Sequence, residues 1–367
     1  MRILILSKRQ YTGRDLLNDR YGRMYEIPLA LTAAGHQVRG VALSYRRRPA
    51  APPEAANWES LNALPFSPLG AARYLHRIRH VCQEFSPDIV WASSDAWHAM
   101  AAWRTCSPTG IPYVVDLYDN YESFSLSKIP GVTPFLRKAC RAARGLTLVS
   151  HTLANHVGSN YALPTEQPRL ILGNAVDTSL FRPVDKQAAR QELGLSKDAL
   201  LIGTAGALDS SRGITTLYKA VERLISAHPA LRLVLAGPCD NTLHRFHHLP
   251  IDYLGILPPE RVPTFWNALD IAVVANRDSN FGRYCYPQKL HEIVACGIPL
   301  VCSRVGEIKE LLWHTPECLA DPDSPASLAE RIEFQINEKI LARVNAVPTW
   351  QIRANELADF FNLLLMQ

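Results

Sequence analysis

The sequence predicts an α/β protein built from two Rossmann-like parallel-sheet domains, and three observations carry the prediction. Short runs of consecutive apolar residues alternate with amphipathic stretches of helical spacing, the pattern of strands covered on both faces by crossover helices. The chain has 367 residues, 47% of them hydrophobic, which is enough for two separate cores. The alternation also restarts in the second half, where an apolar strand at 199–204 follows a helix at 188–193.

In order, residues 2–7 read as a buried strand and 21–34 as a helix ending at Gly35, ahead of a strand at 38–43. The same alternation predicts a helix at 71–85, a strand at 88–92, a helix at 96–104, a strand at 113–117, a basic helix at 134–144 and a strand at 146–150. Ligands of parallel sheets collect at the carboxyl ends of strands, so the loops after Ser7, Ala92 and Leu117 are expected to face an active cleft. The second half offers strands at 231–237, 251–257 and 298–302. Its helix before the last of these has Pro287 at the first position and Gly297 just past the end. Residues 349–366 read as an amphipathic helix.

Composition narrows the compartment and the partners. No apolar run reaches the roughly 18 residues that span a bilayer, and the opening MRILILSKRQ is charged too early for a secretory signal, so a cytoplasmic protein is expected. The eight cysteines form no CxxC pair and are expected to be reduced thiols. Residues 1–183 carry 21 Lys+Arg against 13 Asp+Glu, whereas the remainder is slightly acidic. That asymmetry predicts an anionic partner for the first half, and the basic helix 134–144, with the clusters at 73–79 and 46–48, points to peripheral contact with an anionic membrane. Nucleic acid is not expected as that partner.

The most informative stretch is 278–310. Its helix start presents free amides, a ready anion site, and Glu292 lies about one turn further in, where it can reach a ligand across the same end. The segment YPQKLHEIVACGIPLV resembles the donor-site motif P-x-K-x-x-E-x-x-A-x-G-x-P-V-V of the family 4 glycosyltransferases, retaining enzymes of the GT-B fold. The resemblance implies two facing Rossmann-like domains with a cleft between them: an acceptor-binding domain at 1–179, a nucleotide-sugar domain at 180–348, and a helix at 349–367 returning to the first. It also implies that PDIVWA and LTLVSHTLANHV supply sheet strands. LILGNAVDTSLFRP, which resembles the segment closing the first domain, sets the boundary.

Residue by residue, the resemblance implies that Glu292 holds the donor ribose and that Gly22, Arg23, Tyr284, Tyr286 and Lys289 line the donor. The backbone of Gly255, Ile256 and Leu257 would border the nucleobase. GTAGALDSSRGITTLYKA resembles the phosphate segment, with Arg212-Gly213 in place of its lysine and glycine; a fixed cation there stabilises a leaving diphosphate without metal. Tyr118 and Asp119, in DLYDNYE, stand where the family places groups close to the reacting sugar. Three positions depart from the family: Tyr118 for a histidine, Ala207 for an arginine and Tyr284 for a glutamate. Asp321 and Asp323 imitate a metal-binding DxD, but Ser324-Pro325 reads as a helix cap and first position, which assigns both aspartates to a helix start.

The expected activity is retaining transfer from a nucleotide sugar, UDP- or GDP-linked, to a glycan or lipid-linked acceptor in bacterial surface polysaccharide or lipopolysaccharide synthesis, with no cofactor and no metal. A catalytically inactive GT-B-like partner subunit and a GT-B sugar-nucleotide epimerase remain open alternatives.

Overall fold

The computed structural model describes residues 1–11, 14–20, 22–46, 57–344 and 346–366. The chain forms two compact units. One comprises Met1–Asn174, Tyr284–Tyr286 and Trp350–Gln367; the other comprises Ala175–Arg283 and Pro287–Thr349.

The first unit is built on β1 (Arg2–Lys8), which leads into a short antiparallel hairpin of β2 (Gln10–Tyr11) and β3 (Arg14–Asp15). Then come β4 (Gln37–Ser44), β5 (Trp58–Asn62), β6 (Ile89–Ala92), β7 (Tyr113–Leu117), β8 (Gly145–Leu148) and β9 (Arg169–Ile171). Seven of these pair in parallel in the order β5-β4-β1-β6-β7-β8-β9. Ile3, Leu4, Ile5 and Leu6 are all fully buried, as a central strand covered on both faces requires. Gly40 in β4 faces Trp58 in β5, and a Cβ at Gly40 would collide with the indole. The buried pair Arg9–Asp15, at 3.0 Å, closes the hairpin after β1.

The second unit repeats the plan with β10 (Leu200–Ala205), β11 (Leu231–Ala236), β12 (Ile251–Tyr253), β13 (Ile271–Val274), β14 (Leu300–Ser303) and β15 (Leu319–Ala320). They form a parallel sheet ordered β12-β11-β10-β13-β14-β15. In both sheets the strand order runs outward from the first strand and then reverses, at β1/β6 and at β10/β13, the Rossmann arrangement.

Several boundaries differ from those read in the sequence. The strand expected across LTLVSHTLANHV stops at Leu148; Ser150 then accepts a hydrogen bond from the Leu153 amide at 3.1 Å and caps a helix, His151–Asn160, whose buried positions Leu153 and Val157 keep helical spacing. The strand expected at 251–257 ends at Tyr253, because Gly255, at φ +67°, turns the chain. Pro287 is the N-cap of the helix Gln288–Ala295 and not its first residue. At the other end Gly297 (φ +69°) donates to Val294 O and Ile298 to Ile293 O, the paired bonds of a Schellman motif. The strands β5, β9, β13 and β15 were not anticipated. Tyr21, Arg47 and Arg48 lie outside the described residues.

The helix Trp350–Met366 belongs to the first unit. Phe360 and Leu364 approach Gly145 so closely that a Cβ there would lie 2.9 and 3.0 Å from them, and the Arg144 guanidinium donates to Leu364 O at 3.2 Å. All eight cysteines are free thiols. Among the described residues no helix is long and apolar enough to cross a membrane.

In the second unit Asp270 joins the helix Lys186–Leu193 to the sheet. It accepts from Lys186 (2.9 Å), from the buried Arg190 (2.6 Å) and from the Leu201 amide (2.8 Å). Burial pushes its carboxyl up, but the bonds from Lys186 and Leu201 and the charges of Lys186 and Arg190 outweigh this and hold it below the ordinary 3.8. A depressed carboxylate adds stability above the unfolded value and loses it as pH falls through the folded one. Asp270→Asn should therefore remove part of the wild-type loss of stability below about pH 4, measured as urea midpoint against pH; curves of unchanged shape would refute the role.

Candidate functional site

The carboxyl edge of the second sheet is made of backbone. Gly206, Gly237 and Gly255 all have positive φ; the Gly206 amide donates to Ala236 O (2.9 Å) and the Gly237 amide to Gly255 O (2.7 Å). A Cβ at Gly237 would collide with the Gly206 carbonyl, so no side chain is tolerated there. After this layer Asp209 accepts from the Arg212 amide at 3.1 Å and caps the turn Ser210–Arg212. The Arg212 guanidinium is half exposed, lies 3.5 Å from the Asp209 carboxylate and stacks 4.4 Å over the Phe281 ring. Gly213, at φ +94°, then opens the helix Ile214–Leu224, whose first amides have no side-chain cap.

The helix Gln288–Ala295 brings two of the expected side chains to the same unit. Lys289 Nζ donates to Ala205 O at 2.8 Å, which fixes its charge at the end of β10, the switch-point strand. Glu292, one turn on, accepts from Trp266 Nε1 (3.1 Å) and from Gln288 Nε2 (3.3 Å), so both carboxylate oxygens are held. Burial, with the Glu292 charge beside it, pushes the Cys296 thiol up to about 12. Ile256, in the loop after β12, is 70% exposed. The loop ahead of the helix is braced by Arg283–Asp278 (2.5 Å) and Arg277–Asp323 (2.8 Å). Arg304 pairs with Asp321, and Ser324 caps the helix Pro325–Glu338, so both aspartates of the DxD sequence are engaged with arginines beside a helix start.

In the first unit the carboxyl edge is polar and closed. Asp116, fully buried at β7, accepts from Ser93 Oγ (2.6 Å), Thr147 Oγ1 (2.7 Å) and Arg23 (3.1 Å). Arg23 is itself buried and donates to Leu172 O at 3.0 Å. The guanidinium of Arg23, expected to line the donor, thus bonds an internal carboxylate and a carbonyl. Gly22, at φ +82°, is the N-cap of the helix Arg23–Ala33. Ser7 and Ser94 share a 2.6 Å hydrogen bond across β1/β6. Tyr118 is half-buried, its ring edge-on to Tyr121 at 5.6 Å. The Asp119 carboxylate accepts from the Asn120 amide at 2.7 Å and shapes the turn that Asn120 caps.

Tyr284 and Tyr286 make their contacts within the first unit. The Tyr284 ring lies 4.5 Å from that of His156, and Tyr286 covers Gly173 while its carbonyl accepts from Asn174 at 3.3 Å. A further cluster was not anticipated: Tyr45 donates to Asp95 (2.6 Å), and the buried His98 meets Tyr74 (2.8 Å) and is held neutral by burial, its pKa pushed down to about 4. The basic helix is Val132–Ala142, with Lys138 and Arg141 exposed. Arg137 grips Glu122 through two bonds, and Arg141 donates to Tyr161 O.

Two family models match the chain: "Glycosyl transferase 4-like domain" over residues 23–171 and "Glycosyl transferases group 1" over 199–338. A D-inositol 3-phosphate glycosyltransferase of Acidothermus cellulolyticus is 28% identical over 52% of this chain and 45% of its own length. The putative teichuronic acid biosynthesis glycosyltransferase TuaC of Bacillus subtilis is 25% identical over 70% and 64%. The chain thus spans about half the length of the first curated relatives it matches. Among solved structures, a sucrose-phosphate synthase from Thermosynechococcus elongatus has a TM-score of 0.79 at 16% identity, covering 100% of this chain and 99% of its own. Anabaena Alr3699/HepE in complex with UDP has a TM-score of 0.72 at 18%, covering 100% and 98%. At those identities the likeness shows the fold.

The placement of Arg23 has a direct test. Arg23→Met leaves the Asp116 carboxylate buried without its cation and should cost the first unit roughly 3–5 kcal/mol in chemical denaturation. Arg23→Lys should restore little, because an ammonium cannot bond Asp116 and Leu172 O in one plane. Unchanged stability with weakened nucleotide binding would return Arg23 to the donor.

Proposed function

For a chain that belongs to the GT-B, family 4 glycosyltransferases, we propose retaining transfer of a sugar from a nucleotide-sugar donor to a hydroxyl of a glycan or lipid-linked acceptor. The observation that carries this reading is the Glu292 carboxylate, held on both oxygens by Trp266 and Gln288 one turn inside the helix Gln288–Ala295. An oriented carboxylate suits the paired hydroxyls of a ribose, and binding them requires no rearrangement of the protein. Lys289 and Arg212 supply positive charge for the diphosphate, while the glycine layer at Gly206 and Gly237 lets phosphate oxygens approach backbone. Negative charge that builds on the leaving diphosphate then meets fixed cations, so transfer proceeds without metal.

In this reading the backbone at Gly255, Ile256 and Leu257 borders the base, and the donor is a UDP- or GDP-hexose. The solved relative with UDP supports a uridine donor by analogy. Gly22 abuts the donor phosphates, Tyr118 and Asp119 act near the reacting sugar, and Tyr284 and Tyr286 flank it. The first unit binds the acceptor and touches the inner face of an anionic membrane, which places the protein in the cytoplasm in bacterial surface polysaccharide or lipopolysaccharide synthesis. A relative named for teichuronic acid biosynthesis is consistent with that role.

Each charge-assisted contact is worth roughly 1.5–3 kcal/mol, so Glu292→Ala and Arg212→Ala should each reduce donor-dependent kcat/KM by about one to two decades in a folded protein. Thermal shifts across UDP, GDP, ADP and TDP sugars should single out one nucleotide, which stabilises by a few kcal/mol well above its Kd. Stabilisation without turnover on any acceptor would favour a partner subunit; wild-type kinetics in either variant would remove its assignment.

A further inference from the structure

At the amino edge of the second sheet lies a groove of about 550 Å³, a volume usual for sites that take small organic molecules. One wall is His314, Thr315 and Glu317, ahead of β15; the other is the stretch 340–343, which follows the helix Pro325–Glu338. Both walls are held in place. The Arg343 amide donates to Thr315 Oγ1 at 3.2 Å, and the fully buried Gln335 donates through its amide nitrogen to Ile340 O at 3.1 Å and to Leu300 O at 3.0 Å. Leu300 and Leu319 open β14 and β15, so the groove sits at the opposite end of the sheet from the glycine layer of the candidate donor site. Two opposite charges share the groove without meeting. Among the described residues neither Glu317 nor Arg343 enters an ion pair; Arg343 is exposed, and Glu317 is half-buried with an Oε2 that accepts no hydrogen bond. Beside them the wall is apolar, with Ile340, Leu341 (51% exposed) and Ala342.

We propose that this groove binds an apolar α-amino acid as its zwitterion. A simple amine would bring its charge up to Arg343 as well as to Glu317, and a simple acid would meet the reverse conflict. A ligand with both charges answers both side chains. Its ammonium supplies the donors that the Glu317 carboxylate lacks, and its carboxylate accepts from the planar fork of Arg343. The aliphatic side chain then covers Ile340 and Leu341 and removes apolar surface from water. Walls already fixed by Gln335 and by the Arg343 amide need little reordering, which lowers the cost of binding. The inference goes beyond the donor reading and does not rest on it, since the two sites occupy opposite edges of one sheet.

The test is isothermal titration calorimetry of the full chain with L-leucine, and with isoamylamine and isocaproate, which lack the carboxylate and the ammonium of leucine respectively. The expected result is saturable binding of leucine with a Kd below about 10 mM, weakened about tenfold or more by Glu317→Gln, by Arg343→Met, and by removal of either charge from the ligand. Circular dichroism checks that both variants fold, and their nucleotide thermal shifts should match wild type, which reports the donor site separately. Absence of leucine binding up to about 10 mM overturns the proposal. So does leucine binding that both variants retain at wild-type strength, or an analogue with one charge that binds as tightly as leucine.

Discussion

A parallel strand buried on both faces has no side chain to offer a ligand, and this constraint organises both units. β1 and β10 spend their residues on packing, so polar chemistry appears only where the strands end. The two units resolve that edge differently. In the first, Ser93, Thr147 and Arg23 converge on the buried Asp116 and close the edge into a hydrogen-bonded plug. In the second, three glycines strip the edge to backbone, and charge is brought in from Gln288–Ala295 and from the turn at Arg212.

The arginines follow the same division. Arg9, Arg23 and Arg190 are buried, each bonded to an aspartate, and each fixes a loop or helix against its sheet. Arg212 is half exposed and keeps only a loose 3.5 Å contact with Asp209 beside its ring partner Phe281. A buried guanidinium gives orientation and cannot be spared for a ligand; a half-exposed one can exchange partners at low cost.

The sheets were legible because burial on both faces writes itself as unbroken apolar runs: RILILS and YVVDL are strands on sight. Half-exposed edge strands such as β5 (WESLN) and β9 (RLI) carry no such run. Glu292 was legible from its spacing within a motif, and Gln288, four residues earlier on the same helix, could have been found by the same helical rule. Trp266 could not, since it reaches Glu292 from a distant helix. The partner of Arg23 was hidden in the same way: an arginine beside a glycine after the first strand looks like a phosphate ligand, and only the fold shows that it bonds Asp116, 93 residues later. Sequence proximity reports helices and caps; partners brought together by sheet order leave no local trace.

The packing of Phe360 and Leu364 onto Gly145 carries a consequence for how the chain is made. The first unit holds a face that its own opening 174 residues do not cover; the covering helix is synthesised after the whole second unit. During translation the sheet face at β8 therefore remains uncovered while about half the protein is still emerging, and the second unit can finish folding before the first. The loop that must close between β8 and this helix is also long, which slows docking relative to the local contacts within each unit.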